Sequence, residues 1–82
     1  EQNYPNPFNP NTTISYSTKE ISNVEIDVFD ILGRKIVTLV DEELPAGKHN
    51  TTFDGTGLAS GVYYFTLKAG DFLASRKMIL LK

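Results

Sequence analysis

Apolar residues alternate with polar ones along much of this chain, and a period of two predicts strands rather than helices. The clearest case is a stretch in which Val24, Ile26 and Val28 alternate with Glu25 and Asp27. Because successive side chains of a strand point to opposite faces, we expect the three apolar residues in a core and the two carboxylates in water.

The densest run of aromatic and β-branched residues, 60–67, predicts the central strand of the fold. Tyr63, Phe65 and Leu67 share one face of this strand, and Val62 and Tyr64 lie on the other with Thr66 and Lys68. We expect the first set to line the core, because it ends in leucine whereas the second ends in lysine.

Shorter runs bounded by turn residues predict the remaining strands. They lie at residues 12–17, 34–40, 48–53 and 72–82. Ile14, Tyr16 and Phe53 are expected to face the core. The inward face of the strand at 34–40 stays open, because both registers carry apolar residues. Residues 41–43 are predicted to be a solvated acidic run.

Glycines mark the predicted turns, with Asp30 placed to cap one of them. The turn glycines are Gly33, Gly47, Gly55 and Gly70. Leu58 and Ala59 are expected to dip into one end of the fold. Six to seven short strands, with turn signals about every 8–12 residues, predict an all-β fold, an antiparallel immunoglobulin-like β-sandwich.

The start of the chain is different in character. Residues 1–11 contain Pro5, Pro7 and Pro10, which exclude a helix or a central strand. This proline-rich arm is either a plain linker to an upstream domain or a segment that Tyr4 and Phe8 pin to the sandwich. Residues 12–82 are predicted to form the single sandwich domain.

Composition excludes several classes of function. The 82 residues carry a net charge of −2 and no cysteine. The charge gives no basic surface for nucleic acid or an anionic membrane, and the missing thiols exclude disulfides and thiolate metal sites. We expect no cofactor, no metal and no small-molecule substrate. Because the sequence starts at Glu1 rather than at methionine, we expect it to be one domain of a longer protein.

Catalytic residues are scarce. His49 is the single histidine, and it alternates with Thr51 and Phe53 in a predicted strand, with no nucleophile motif around any serine. We therefore expect a half-buried packing histidine and no enzyme. The remaining class is an interaction or signal domain. Its candidate surfaces are an apolar, basic last strand that pairs with another chain and the proline-rich arm; the alternative is that both only complete the fold.

Six motifs, in order along nearly the whole chain, resemble the type A C-terminal sorting domain of the type IX secretion system. They are residues 3–10, Val28-Phe29-Asp30-Ile31-Leu32-Gly33-Arg34, residues 46–49, residues 53–55, residues 58–65 and residues 77–82. Phe53 stands where that family often has tryptophan, and Thr66 where it often has arginine. The pattern is also similar to the immunoglobulin-like domain of flagellar hook-capping proteins.

The resemblance implies a non-enzymatic signal that directs an upstream cargo protein from the periplasm across the outer membrane of a Gram-negative bacterium. The implied partners are an outer-membrane translocon and a sortase-like peptidase that usually removes the domain after export. The implied signal residues are Gly61, Val62, Tyr63, Tyr64, Phe65, Lys77, Met78, Ile79, Leu80, Leu81 and Lys82. Asn6, Pro7 and Phe8 would mark the junction with the cargo.

A second hypothesis is a structural subunit that self-associates through edge strands into an extracellular array or fibre. The prolines of the arm and the apolar last strand motivate it.

Overall fold

The computed structural model describes residues 11–80, and this part of the chain consists of six β-strands joined by turns. The strands are β1 (Asn11–Thr18), β2 (Ser22–Phe29), β3 (Lys35–Leu44), β4 (Gly47–Asp54), β5 (Gly61–Ala69) and β6 (Phe72–Leu80). Over these residues there is no helix of the length and hydropathy that a membrane crossing needs.

The strands form two antiparallel sheets. β1 pairs with β4 in a two-stranded sheet, and the second sheet has the order β3-β2-β5-β6. The pairs β1–β4 and β2–β5 join strands that are distant in sequence, so the chain passes repeatedly from one sheet to the other. This connectivity confirms the predicted immunoglobulin-like sandwich.

The core lies between the sheets, and β2 supplies its most deeply buried side chains. Val24, Ile26 and Val28 are completely buried, as their alternation predicts. The other buried apolar side chains are Ile14, Phe53, Tyr63, Met78 and Leu80. A three-residue aliphatic row at the centre of a four-stranded sheet supplies much of the apolar burial that stabilises so short a chain.

Asp27 corrects the prediction that both carboxylates of β2 face water. It lies on the outer face of the sheet, yet it is only 7% exposed. β2 is an inner strand, and Asp27 has Thr38 and Thr66 as cross-strand neighbours on its two sides. The Thr38 hydroxyl donates a 2.6 Å hydrogen bond to Asp27, and the Lys35 ammonium lies 3.7 Å away.

The structure shows which residues of β3 face the core, a question that the sequence left open. Its pairing with β2 shifts between Ile26 and Asp27 and again between Val28 and Phe29, so Leu39 and Ile36 are inserted without a partner position on β2. These bulges let Ile36, Leu39 and Val40 all pack against the core. Residues 41–43 belong to β3 rather than to a loop, although their side chains are exposed as predicted.

The turn between β2 and β3 is held by its own hydrogen bonds. One Asp30 oxygen, Oδ1, accepts from the Leu32 and Arg34 amides, each at 2.9 Å, and Oδ2 accepts from Arg34 Nε at 2.8 Å. The Asp30 carbonyl accepts from the Gly33 amide at 2.9 Å. Gly33 has φ +83°, which agrees with the predicted turn glycine.

The connection from β4 to β5 is partly as predicted. The Gly55 carbonyl accepts a 2.9 Å hydrogen bond from the Leu58 amide, but the positive φ of this turn, +90°, belongs to Gly57. Leu58 is half-buried and packs against the core, whereas Ala59 is exposed rather than dipping inward.

The smaller sheet leaves part of the inner face of β5 and β6 uncovered. A crevice of about 220 Å³ opens between the sheets, where Phe65 and Leu67 are only half-buried. Its walls include Ile14, Tyr16, Phe72 and Ala74. The side of the sandwich next to β6 is therefore less filled than the centre.

Candidate interaction surface

The two segments that the sequence analysis assigns to the signal lie side by side. β5 and β6 are antiparallel and continuous in register from Ala69 and Phe72 onward. The cross-strand pairs within the two segments are Gly61–Leu80, Val62–Ile79, Tyr63–Met78 and Tyr64–Lys77. Residues that are separated by 13 to 19 positions in sequence therefore form one ladder.

Half of this ladder belongs to the core. Tyr63, Met78 and Leu80 are 7%, 3% and 7% exposed, and Phe65 is half-buried. The Tyr63 hydroxyl donates a 2.7 Å hydrogen bond to the Ala59 carbonyl four residues upstream. This bond resembles the tyrosine corner of immunoglobulin-like domains, so these side chains act by stabilising the fold.

The other half of the ladder faces outward. Val62, Tyr64, Lys77 and Ile79 lie on the opposite face, and we call these four residues the outer row. Tyr64 and Ile79 are 38% and 46% exposed, and Lys77 is exposed as well. Within residues 11–80, β6 is an outer strand of its sheet, as predicted. Both side chains and strand edge are thus presented at the surface.

Apolar residues beside the outer row were missed by the sequence analysis. Phe29 pairs with Tyr64 across the sheet. The turn that follows Phe29 displays Ile31 and Leu32, which are 67% and 73% exposed. The available signal was the apolar pair between Asp30 and a turn glycine, a place where polar residues are usual.

Glu25 and Asp27 form a carboxyl pair on the same outer face of the sheet. A side-chain hydrogen bond with Asp27, and next the Asp27 charge, raise the pKa of Glu25. Burial alone would raise the pKa of Asp27, but hydrogen bonds with Thr38 and Glu25 and the charge of Lys35 outweigh burial and lower it. Glu25 therefore keeps a proton to a higher pH than an ordinary glutamate and donates it to Asp27.

His49 has the packing role that the sequence predicts. It is half-buried, and its ring lies 5.6 Å from the Tyr16 ring. Its Nε2 is 2.8 Å from the Pro45 carbonyl oxygen. Because a carbonyl only accepts, Nε2 carries a proton and donates it, which removes that nitrogen as a base.

Some of the predicted residues cannot be placed on this surface. Leu81 and Lys82 of the signal, the junction residues Asn6, Pro7 and Phe8, and the proline-rich arm up to residue 10 lie outside the described residues.

The fold and the exposed ladder together define an immunoglobulin-like interaction domain. A family model described as a secretion system C-terminal sorting domain matches residues 2–81. The chain belongs to this family and is a sorting-signal domain of the type IX secretion system, which confirms the resemblance seen in its motifs. No curated protein and no solved structure matched the chain.

Membership implies a secreted or cell-surface protein that is exported through the outer membrane. It also implies an upstream cargo and contact with the secretion machinery. The family is not known for enzymatic activity.

Proposed function

We propose that the outer row is the part of this sorting signal that the secretion machinery contacts. The observation that carries the proposal is the β5–β6 ladder, which joins two distant motif segments and turns alternate residues outward. An exposed tyrosine, an aliphatic side chain and a lysine on an outer strand suit both backbone pairing and side-chain recognition.

The inward residues of the two motifs have a supporting task in this proposal. Tyr63, Met78 and Leu80 keep β5 and β6 together and hold the outer row in place. Leu81 and Lys82 would extend the last strand of the signal. The strength of the sorting signal then depends on both faces of the ladder, for different physical reasons.

We further propose that the domain directs a cargo joined upstream across the outer membrane of a Gram-negative bacterium. A translocon receives it there, and a sortase-like peptidase removes it after export near Asn6, Pro7 and Phe8. The family of the chain and the proline-rich junction motif support this route.

The test is export of a reporter fused ahead of the domain in a bacterium with a type IX system. Replacing Tyr64 and Ile79 with serine removes exposed apolar surface without opening the core. We expect the reporter to accumulate in the periplasm, with its extracellular fraction reduced at least about tenfold, the equivalent of ~1.4 kcal/mol of recognition.

A matched control uses Ile21→Ser with Leu73→Ser. These apolar side chains are 63% and 67% exposed at the opposite end of the sheet, and Leu73 lies on its outer face across from Lys68. The control should be exported like the unchanged domain. Equal export of the Tyr64/Ile79 variant, with both variants folded by circular dichroism, would exclude the outer row as the recognised surface.

A further inference from the structure

The two outer strands of the four-stranded sheet carry opposite charge. β3 bears Asp41, Glu42 and Glu43, and β6 bears Arg76 and Lys77, all with exposed side chains. Strands with charged edges resist pairing with arbitrary neighbours, but the two edges of this sheet complement each other.

Strand direction also suits a contact between copies. Each neighbouring pair in the order β3-β2-β5-β6 is antiparallel, so β3 and β6 run in opposite directions. When one copy lies beside another in the same orientation, β6 of the first meets β3 of the second as an antiparallel pair. The contact therefore continues the hydrogen-bonding pattern that the sheet already has.

Two copies placed side by side with no shift along the strand direction would make an unfavourable contact. Lys35 pairs with Phe29, Phe29 pairs with Tyr64, and Tyr64 pairs with Lys77. Lys35 and Lys77 therefore lie at the same level on the two outer strands of the sheet. An unshifted contact would set these two ammonium groups opposite each other. Like charges directly opposite in a sheet are destabilising.

A shift of four residues, about 14 Å along the strand, removes this conflict. It brings together the pairs Ala74–Leu44, Ser75–Glu43, Arg76–Glu42, Lys77–Asp41 and Met78–Val40. Two of these are ion pairs, and two are apolar pairs on the core side of the sheet. Because the shift is even, every side chain keeps its face.

A two-fold contact between identical edges is less favourable. Pairing β6 with β6 around its middle residue sets Arg76 of one copy directly opposite Arg76 of the other. Pairing β3 with β3 does the same with its three carboxylates. The charges thus favour a head-to-tail contact over a symmetric one.

We propose that a second copy of this chain pairs its β3 with β6 in this shifted register, and that the contact repeats from copy to copy. Each copy keeps one unused edge, so the assembly grows without a fixed end. It covers the β6 edge, so a domain bound in this way cannot add another strand there. The proposal stands apart from sorting, and its test needs no secretion machinery.

The test is sedimentation equilibrium of the purified 82-residue chain over a series of concentrations at low salt. We expect the average mass to rise beyond that of a dimer and to fall when salt is added. Lys77→Glu alone and Asp41→Lys alone should each weaken association on the order of tenfold, because each makes one attractive pair repulsive.

The double variant Lys77→Glu with Asp41→Lys restores opposite charges at the contact and should associate like the unchanged chain. Lys19→Glu makes the same charge change in the connection between β1 and β2 and should have no effect. Recovery in the double variant separates a lost contact from a lost fold. A monomer at all concentrations, a mass that stops at the dimer, or a double variant that stays monomeric would overturn the proposal.

Discussion

Adjacent residues of the central strand have different tasks, because a strand turns successive side chains to opposite faces. Tyr63 is 7% exposed and hydrogen-bonded to the Ala59 carbonyl, whereas Tyr64 is 38% exposed on the outer face. A substitution at Tyr63 acts through stability, and one at Tyr64 acts on the surface that a partner can reach. A motif that looks continuous in sequence is therefore two sets of residues.

The carboxyl pair on β2 gives the fold a defined response to pH. The pKa of Glu25 is raised in the folded chain, so its contribution to stability is full below the unfolded pKa and is lost as the pH rises through the folded pKa. The pKa of Asp27 is lowered, so its contribution is present above the unfolded pKa and is lost as the pH falls through the folded value.

Glu25→Gln should therefore stabilise the domain near neutral pH. The glutamine amide donates to Asp27 at every pH, whereas Glu25 stops donating and repels Asp27 once it loses its proton as the pH rises. We expect the melting temperature to rise by roughly one to three degrees at about pH 7. The gain should shrink as the pH falls from about 7 towards about 4 and Glu25 takes up its proton.

Thermal denaturation followed by circular dichroism across this pH range measures the effect. Glu20→Gln makes the same change in the exposed connection between β1 and β2 and serves as the control. A gain for Glu25→Gln that stays constant with pH, or a loss at neutral pH, would show that the two carboxyl groups share no proton.

Among the elements, the turn between β2 and β3 is the most completely determined by its own residues. Asp30 accepts from two backbone amides and from the Arg34 guanidinium. The hydrogen bond from the Arg34 amide is the largest of the effects that hold the pKa of Asp30 below its ordinary value. The turn sets where β3 begins and displays Ile31 and Leu32 beside the outer row.

Gly33→Ala should destabilise the domain by about 1–2 kcal/mol through backbone strain alone. Gly33 has φ +83° and open space around the position where a Cβ would stand, so no clash adds to the cost. Gly33→Asn should cost less, because asparagine tolerates the left-handed region.

Urea denaturation of the two variants measures both losses. An alanine variant as stable as the unchanged chain, or an asparagine variant that loses more than the alanine variant, would contradict this account of the turn.

The strands also show how much of the fold could be predicted from the sequence. Strict alternation placed Val24, Ile26 and Val28 correctly, because only one register buries all three. The same rule failed for Asp27, whose burial depends on neighbours that other strands supply. The alternation rule also could not decide which face of β3 is buried. The inserted residues Ile36 and Leu39 interrupt the alternation of inward and outward side chains within that strand.

At the scale of the whole molecule, one end of the sandwich holds both the start of the described chain and the outer row that we propose as the contact surface. β1 begins there at Asn11, which pairs with Asp54, and residues 55–60 lead from Asp54 to Gly61. Leu80 of β6 pairs with Gly61 at the same end. The described chain therefore starts beside the surface that carries the outer row.

The function itself could be predicted from the sequence only through the six ordered motifs. Alternation and turn chemistry describe a sandwich that many functions use. The sequence could not reveal which motif residues are exposed, because that depends on the pairing of β5 with β6 and on the sheet that covers their inner face.

The central claim is that this domain is an export signal that is removed after export. Its most direct test is to determine the location and the mass of a reporter that carries the domain at its C-terminus. One fusion ends in the complete chain, and a matched one lacks residues 77–82. The account predicts that the complete fusion reaches the medium or the cell surface with the mass of a reporter cut near the junction. The shortened fusion should stay in the periplasm at full length.

Export of the shortened fusion, or retention of the complete one, would contradict the assignment of the signal to this domain. Export of the complete fusion with its domain still attached would support the signal and refute the proposed removal. That outcome would also favour the head-to-tail assembly as the function of the domain outside the cell.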